Sequence, residues 1–170
     1  MDLKITERDH MQGNPEALVE LVEYGDYQCP YCKEAYYIVK EIQKNLRSDL
    51  KFVFRNFPLS EMHPYALHAA LAAEAAGAQD KFWDMHGMLY ENQEYLDDNY
   101  LIEYAKDLEL DMARFEKDFG KKEYYQKVKD DYASGIKAGV RGTPSFYVNG
   151  KKFEGNWMDA SFLEYLKSFI

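Results

Sequence analysis

A chain of 170 residues suffices for one domain with a substantial core and room for an inserted subdomain. A formal net charge of −9 speaks against non-specific nucleic-acid binding, which needs Lys and Arg to meet phosphates. No apolar run approaches the length of a membrane span.

The leader Met1–Asn14 is polar, carries acids and has no uninterrupted apolar stretch, so no secretory signal is visible. With Met1 as native start, the expectation is a cytoplasmic protein, although a mature exported form given a new Met would look similar. Gly13-Asn14-Pro15 separates the leader from Ala17–Tyr24, which reads as a mostly buried strand interrupted by two acids and ended by Gly25-Asp26. From Pro30 to about Arg47, the positions Ala35, Ile38, Val39, Ile42 and Leu46 follow helical spacing. Leu50–Phe57 reads as a second strand, closed by Pro58. The crossover between these strands is long enough for a parallel pair.

Everything from Pro64 to Ala138 reads as helix. His63-Pro64 starts an alanine-rich segment over about Tyr65–Ala76, with Gly77 as its C′ stop. Asp80 is expected to cap a second helix holding Phe82, Trp83, Met85, His86 and Leu89. Asp97-Asp98 introduces a third, with Leu101, Ile102, Ala105 and Leu108. Asp111 caps a short fourth with Phe115 and Phe119. A fifth, about Lys122–Ala138, aligns Tyr125, Val128, Tyr132 and Ile136 on a stripe expected to pack in the core. Strand character returns at Ser145–Val148 and Lys151–Glu154, which flank the hairpin dipeptide Asn149-Gly150. Asp159 caps a last helix with Phe162, Leu163, Leu166, Phe169 and Ile170 on its apolar face. The expectation is an α/β fold in which residues 1–61 and 139–170 form one discontinuous domain and 62–138 an inserted all-helical subdomain.

The only two cysteines stand in Cys29-Pro30-Tyr31-Cys32, between a strand and a helix. Positions i and i+3 share a helix face, so the sulfurs can reach disulfide geometry. Cys29 is expected at the N-cap with Pro30 at the first helical position, where a missing N–H costs nothing. Free backbone N–H groups and the positive helix end favour the Cys29 thiolate. This suits thiol–disulfide exchange with Cys29 as nucleophile and Cys32 as resolving thiol. Half of a structural zinc site and a pair of inert core thiols are the other two readings. Zinc would want four ligands, and beyond this pair there are only four histidines. His63 and His68, five positions apart and split by Pro64, point different ways around a helix. His63 reads as a cap or turn residue, His86 as a neighbour of Trp83, and Arg141 as a solvated loop residue. Glu23 shares strand phase with Val19 and Leu21; on that apolar face its protonated form is favoured, and it can exchange protons with Cys32 through water. A solvated Glu23 at a frayed strand end is the alternative.

Together these residues resemble the DsbA-like branch of the thioredoxin fold. The resemblance rests on Val22–Cys32, Arg55-Asn56-Phe57-Pro58-Leu59, His63-Pro64, Ala72–Ala76 and Arg141–Phe146. It implies an exposed nucleophile Cys29, a buried resolving Cys32, a buried acid Glu23, and a cis peptide at Thr143-Pro144 that faces the cysteines and docks substrate backbone. It also implies that the helical block forms a lid shaping a peptide groove. Substrates would be proteins or small thiols, with glutathione or a thioredoxin-type reductant as partner, and neither metal nor organic cofactor is expected. The exported oxidases of this group carry Pro-His between the cysteines, whereas here Tyr31 follows Pro30, as in glutaredoxins. A neutral Tyr31 adds no charge to stabilise the thiolate. The expected potential therefore lies between ~−230 mV of glutaredoxins and ~−120 mV of DsbA. Rival functions are a glutathione-dependent isomerase or transferase, which Cys32 disfavours, and a peptide-binding chaperone in which the cysteine pair is a redox gate.

Overall fold

The computed structural model describes residues 3–170; Met1 and Asp2 of the leader lie outside the described residues. A five-stranded sheet has the order β1-β3-β2-β4-β5. Its strands are β1 (His10–Gly13), β2 (Val19–Gly25), β3 (Leu50–Asn56), β4 (Ser145–Val148) and β5 (Lys151–Lys152). Strands β2 and β3 are parallel, with Val19 opposite Leu50 and Gly25 opposite Asn56. The other pairings are antiparallel.

Helix α1 (Pro30–Leu46) makes the parallel crossover and buries Cys32, Ala35, Val39, Ile42 and Leu46 against the sheet. Side chains alternate along β2. Val19 and Leu21 join the core beneath α1, while Val22 and Tyr24 pack with Val53, Phe57 and Tyr147 on the opposite face. The β4–β5 turn has both Asn149 and Gly150 at positive φ, the conformation that Asn-Gly admits most readily. The Asn149 side chain also accepts from Glu20 N at 2.8 Å, tying the hairpin to β2.

Between β3 and β4 run α2 (Ala66–Gly77), α3 (Phe82–Glu91), α4 (Asp98–Asp107), α5 (Met112–Phe119) and α6 (Lys122–Ala138). Helix α2 is buried along almost its whole length, which its small alanines allow. Asp97 and Asp111 cap α4 and α5 through their side chains, and Asp159 caps α7 (Ala160–Lys167).

Four expectations are corrected. Gly77 ends α2 in helical rather than left-handed conformation; a Cβ there would stand 3.2 Å from the His10 ring and 3.3 Å from Phe82 Cβ, so its role is close packing. Asp80 does not cap α3; it takes a positive φ in the preceding turn, and Lys81 is the N-cap. On α6 only Val128 of the expected stripe is buried, while Tyr125, Tyr132 and Ile136 are exposed. The inward face instead carries Lys127, Asp131 and Gly135, because it meets buried polar groups of β3 and α2. Phe169 and Ile170 lie beyond α7 and are exposed.

Strand β1, in the stretch read as a polar leader, was not foreseen. It anchors two buried polar clusters. Asp9, just before it, pairs with Arg55 at 2.8 Å, and Arg55 also donates to Tyr24 Oη and to Lys4 O. His10 stacks on Phe82 and bonds Glu74 at 2.8 Å, while Lys127 holds Asp131 at 2.7 Å.

Candidate active site

The site forms at the C-terminal end of β2, where the chain turns through Asp26, Tyr27 and Gln28 into α1. Cys29 is the N-cap, in extended conformation, and Pro30 opens the helix. Cys29 N donates to Asp26 O at 3.1 Å, and Cys29 O accepts from Cys32 N and Lys33 N. This turn puts Cys32 one helical turn on, fully buried, with Asp26 N aimed at its sulfur at 3.5 Å. Both cysteines are free thiols. Cys29 is more covered than an exposed nucleophile suggests, at 5% exposure. The reason is the 143–144 loop: Cys29 Sγ–H donates to Thr143 O at 3.5 Å, and the Thr143–Pro144 peptide is cis. Tyr31, between the cysteines, points outward at 60% exposure.

The two sulfurs titrate in opposite directions. A hydrogen bond from Cys32 is the largest influence that holds Cys29 down, to about 6 from an ordinary 9.0. Thr143 and the N–H groups of Cys32 and Tyr31 act the same way, against the effect of burial. The Thr143 hydroxyl itself is buried without a hydrogen-bond partner. Burial, then the bond to Cys29 and the Glu23 charge, push Cys32 well above the ordinary thiol value. A thiolate thus lies against a protonated thiol at neutral pH.

Glu23 is 1% exposed, on the face of β2 beneath α1, and its Oε1 is buried without a partner. Burial first, and the Cys29 charge second, raise its carboxyl from 4.5 to about 8. It borders a cavity of about 110 Å³ that Gln12, Tyr36, Lys40, Gln43 and His86 also line. That volume holds about three waters at ~30 Å³ each. His86 is pushed down to about 3 by burial and is neutral, its Nδ1 2.9 Å from Tyr27 Oη.

Three further residues hold the turn and were not singled out as site residues. The Asp26 carboxylate accepts from Gln28 N at 2.7 Å, Leu59 N at 2.8 Å and His63 Nδ1 at 2.8 Å. Its signal was an Asp three positions before a Cys, the pattern of a side chain closing its own turn. His63 is thereby a turn residue hydrogen-bonded to Asp26, and forms no metal ligand set with His68, which bonds Asp98. Gln93, in the α3–α4 loop, donates to Tyr27 O at 2.9 Å and Cys29 O at 2.8 Å. Nothing local in the sequence marks it. Among the described residues no group of three or more His, Cys, Asp or Glu is arranged to hold a metal, and no helix is long and apolar enough to cross a membrane.

An apolar groove of about 520 Å³ opens between the loop after β3 and α6. Leu59, Met62, Leu67, Tyr125, Val128 and Tyr132 are among its walls. Leu59 is the residue whose N–H is held by Asp26, so the groove wall continues from the active-site turn.

Comparison with known proteins agrees with this architecture. A family model described as Thioredoxin matches residues 5–168. The structure of oxidised BdbD from Bacillus subtilis superposes with a TM-score of 0.85 at 29% identity, covering 96% of this chain and 93% of that one. A thioredoxin-like oxidoreductase from Silicibacter pomeroyi DSS-3 gives 0.84 at 28% identity, covering 96% and 92%. In sequence, the chain is 40% identical over 151 residues to a Na(+)/H(+) antiporter NhaA 1 from Salinispora arenicola, covering 89% of this chain and 23% of that protein. The chain thus spans about a quarter of the length of the curated relatives it matches. The chain belongs to the thioredoxin family, with the helical insertion of its DsbA-like members.

Proposed function

We propose that this chain is a thiol–disulfide oxidoreductase that works through Cys29 and Cys32. The observation that carries the reading is the placement of the two sulfurs, Cys29 at the N-cap of α1 against the cis Thr143–Pro144 turn and Cys32 fully buried one helical turn on, an arrangement that lowers the pKa of the first and raises that of the second. When the pair is reduced, the Cys29 thiolate attacks one sulfur of a substrate disulfide. A Cys29–substrate disulfide forms, and the other substrate sulfur leaves as a thiolate. Cys32 then loses its proton and attacks Cys29 Sγ, closing the Cys29–Cys32 disulfide and releasing the second substrate thiolate. The substrate gains two electrons and the pair loses them; substrate oxidation is the same path reversed. Glu23 is the group we assign to the Cys32 proton, its ionised fraction taking the proton up through water and its protonated form returning it on the reverse path. The Thr143–Pro144 turn docks the substrate backbone beside the sulfur, and the apolar groove takes the neighbouring side chains.

Direction follows from the potential of the pair against that of its compartment. In a reducing cytoplasm the role is that of a reductase, drawing electrons from glutathione or a thioredoxin-type partner. Trapping tests the proposal. Cys32→Ser should accumulate a mixed disulfide with a disulfide-bearing peptide, stable until a thiol reductant is added, whereas Cys29→Ser should form none. A Cys32→Ser protein that forms no adduct, or one that turns over as fast as the parent, overturns it.

A further inference from the structure

Proline at the first helical position leaves a debt in the turn before it. The Tyr27 carbonyl would find its turn donor at position 30, but Pro30 has no N–H. The next amide, of Tyr31, makes no backbone hydrogen bond to it either. No backbone N–H reaches Tyr27 O among the described residues. Gln93 fills the gap, with one side-chain nitrogen 2.9 Å from Tyr27 O and 2.8 Å from Cys29 O. Facing two carbonyl oxygens, that atom must be the amide nitrogen, and both its protons are used.

We propose that Gln93 is a positioning residue for the thiol pair, a donor supplied by the helical insertion that replaces the one Pro30 lacks and fixes the carbonyls on either side of Gln28. Holding those carbonyls fixes the start of α1, so that its positive end stays beside the N-cap sulfur, and keeps Cys29 against Thr143. The rest of the turn is held from the same side, since Leu59 N and His63 bond Asp26 and Tyr65 N donates to Gln28 Oε1 at 2.8 Å. Of these contacts, that of Gln93 is the one made to Cys29 itself. The insertion therefore sets the ionisation of Cys29, besides shaping a groove for substrate.

This inference rests on the exchange chemistry proposed above, and the two can fail separately. Gln93→Met keeps the length of the side chain and removes both donors. Its Cys29, followed by alkylation rate against pH, should titrate at least one unit higher than in the parent protein. A rise of one unit from about 6 lowers the extra stability of the reduced form about fivefold at pH 7, which a glutathione equilibrium reads directly. Gln93→Lys, which restores a donor, should titrate at or below the parent value. In the parent protein, both Gln93 side-chain N–H protons should exchange slowly and shift in NMR spectra as Cys29 titrates. A parent protein inert to disulfides removes the exchange chemistry itself. A reactive parent with a folded Gln93→Met variant of unchanged Cys29 midpoint overturns the role of Gln93. Should that variant not fold, fast-exchanging Gln93 protons insensitive to Cys29 in the parent overturn it equally.

Discussion

Glu23 and Cys29 make opposite demands on stability as pH changes. The Glu23 carboxyl is raised from 4.5 to about 8 by burial, so its contribution is fully present below pH 4.5 and is lost as pH rises toward 8. Cys29 is depressed from 9.0 to about 6, so its contribution is present above pH 9.0 and is lost as pH falls through 6. A Cys29→Ser background removes the second effect along with the smaller push the thiolate gives Glu23. Urea unfolding of that variant should then show stability falling between pH 7 and 8, where the opposing effect of buried, neutral His86, held down to about 3 from 6.5, is already complete, at up to about 1.4 kcal/mol per pH unit. Adding Glu23→Gln should remove the slope, and a flat profile before that change would refute the buried, protonated acid. Tyr31, at 60% exposure, leaves room for a test of the potential. Tyr31→His should move the glutathione equilibrium toward the ~−120 mV of DsbA, from a starting value between that and ~−230 mV. At this scale the sequence was informative wherever a residue acts on its own chain neighbours. Cys29 at the N-cap and Pro30 at the first helical position follow from their spacing alone. Glu23 was evenly balanced, because strand phase gives the face of a side chain but not its depth.

Helix α6 shows how an element can be right in extent and wrong in orientation. Its limits, Lys122–Ala138, match the sequence expectation, yet three of the four stripe residues are exposed. Apolar periodicity assumes that the partner surface is apolar, whereas β3 and α2 present Asn56 and Glu74 to this helix. Lys127 and Asp131 answer them from inside. Lys127→Met should therefore cost about 3 kcal/mol or more, by leaving Asp131 and Glu74 buried without their cation. Gly135 lies on the same inward face. A Cβ there would lie 2.7 Å from Phe57 ring atoms and 3.1 Å from Tyr24. Alanine normally gains about 1 kcal/mol over glycine inside a helix. Here overpacking against two fixed rings should reverse the sign, and Gly135→Ala should destabilise by about 1–3 kcal/mol. A higher urea midpoint for that variant would contradict the packing described. Strand β1 was illegible for a related reason: a four-residue edge strand of His, Met, Gln and Gly carries no apolar pattern, and only its tertiary partners make it a strand.

Across the whole molecule, the sheet brings Cys29 and Thr143 together over 114 positions, and the insertion adds Gln93 from 64 positions away. The first pairing was legible through a family resemblance carried by motifs. The second was not, since a loop glutamine has no local signature and its function is defined by two carbonyls elsewhere. Two of the three α6 residues that stay out of the core, Tyr125 and Tyr132, line the groove beside the active-site turn. Met62→Glu and Tyr132→Ser should raise KM for an apolar peptide disulfide severalfold while leaving the reaction with oxidised glutathione unchanged. Equal losses on both substrates would contradict a side-chain groove. The fold favours the thiolate at one sulfur and keeps its neighbour protonated. Alkylation of the fully reduced protein by iodoacetamide, with the modified cysteine identified at each pH, tests it most directly. Cys29 should react with a midpoint near pH 6 while Cys32 stays unmodified through pH 9. A Cys29 midpoint at the ordinary value near 9.0, or modification of Cys32 first, would rule out this division between the two sulfurs.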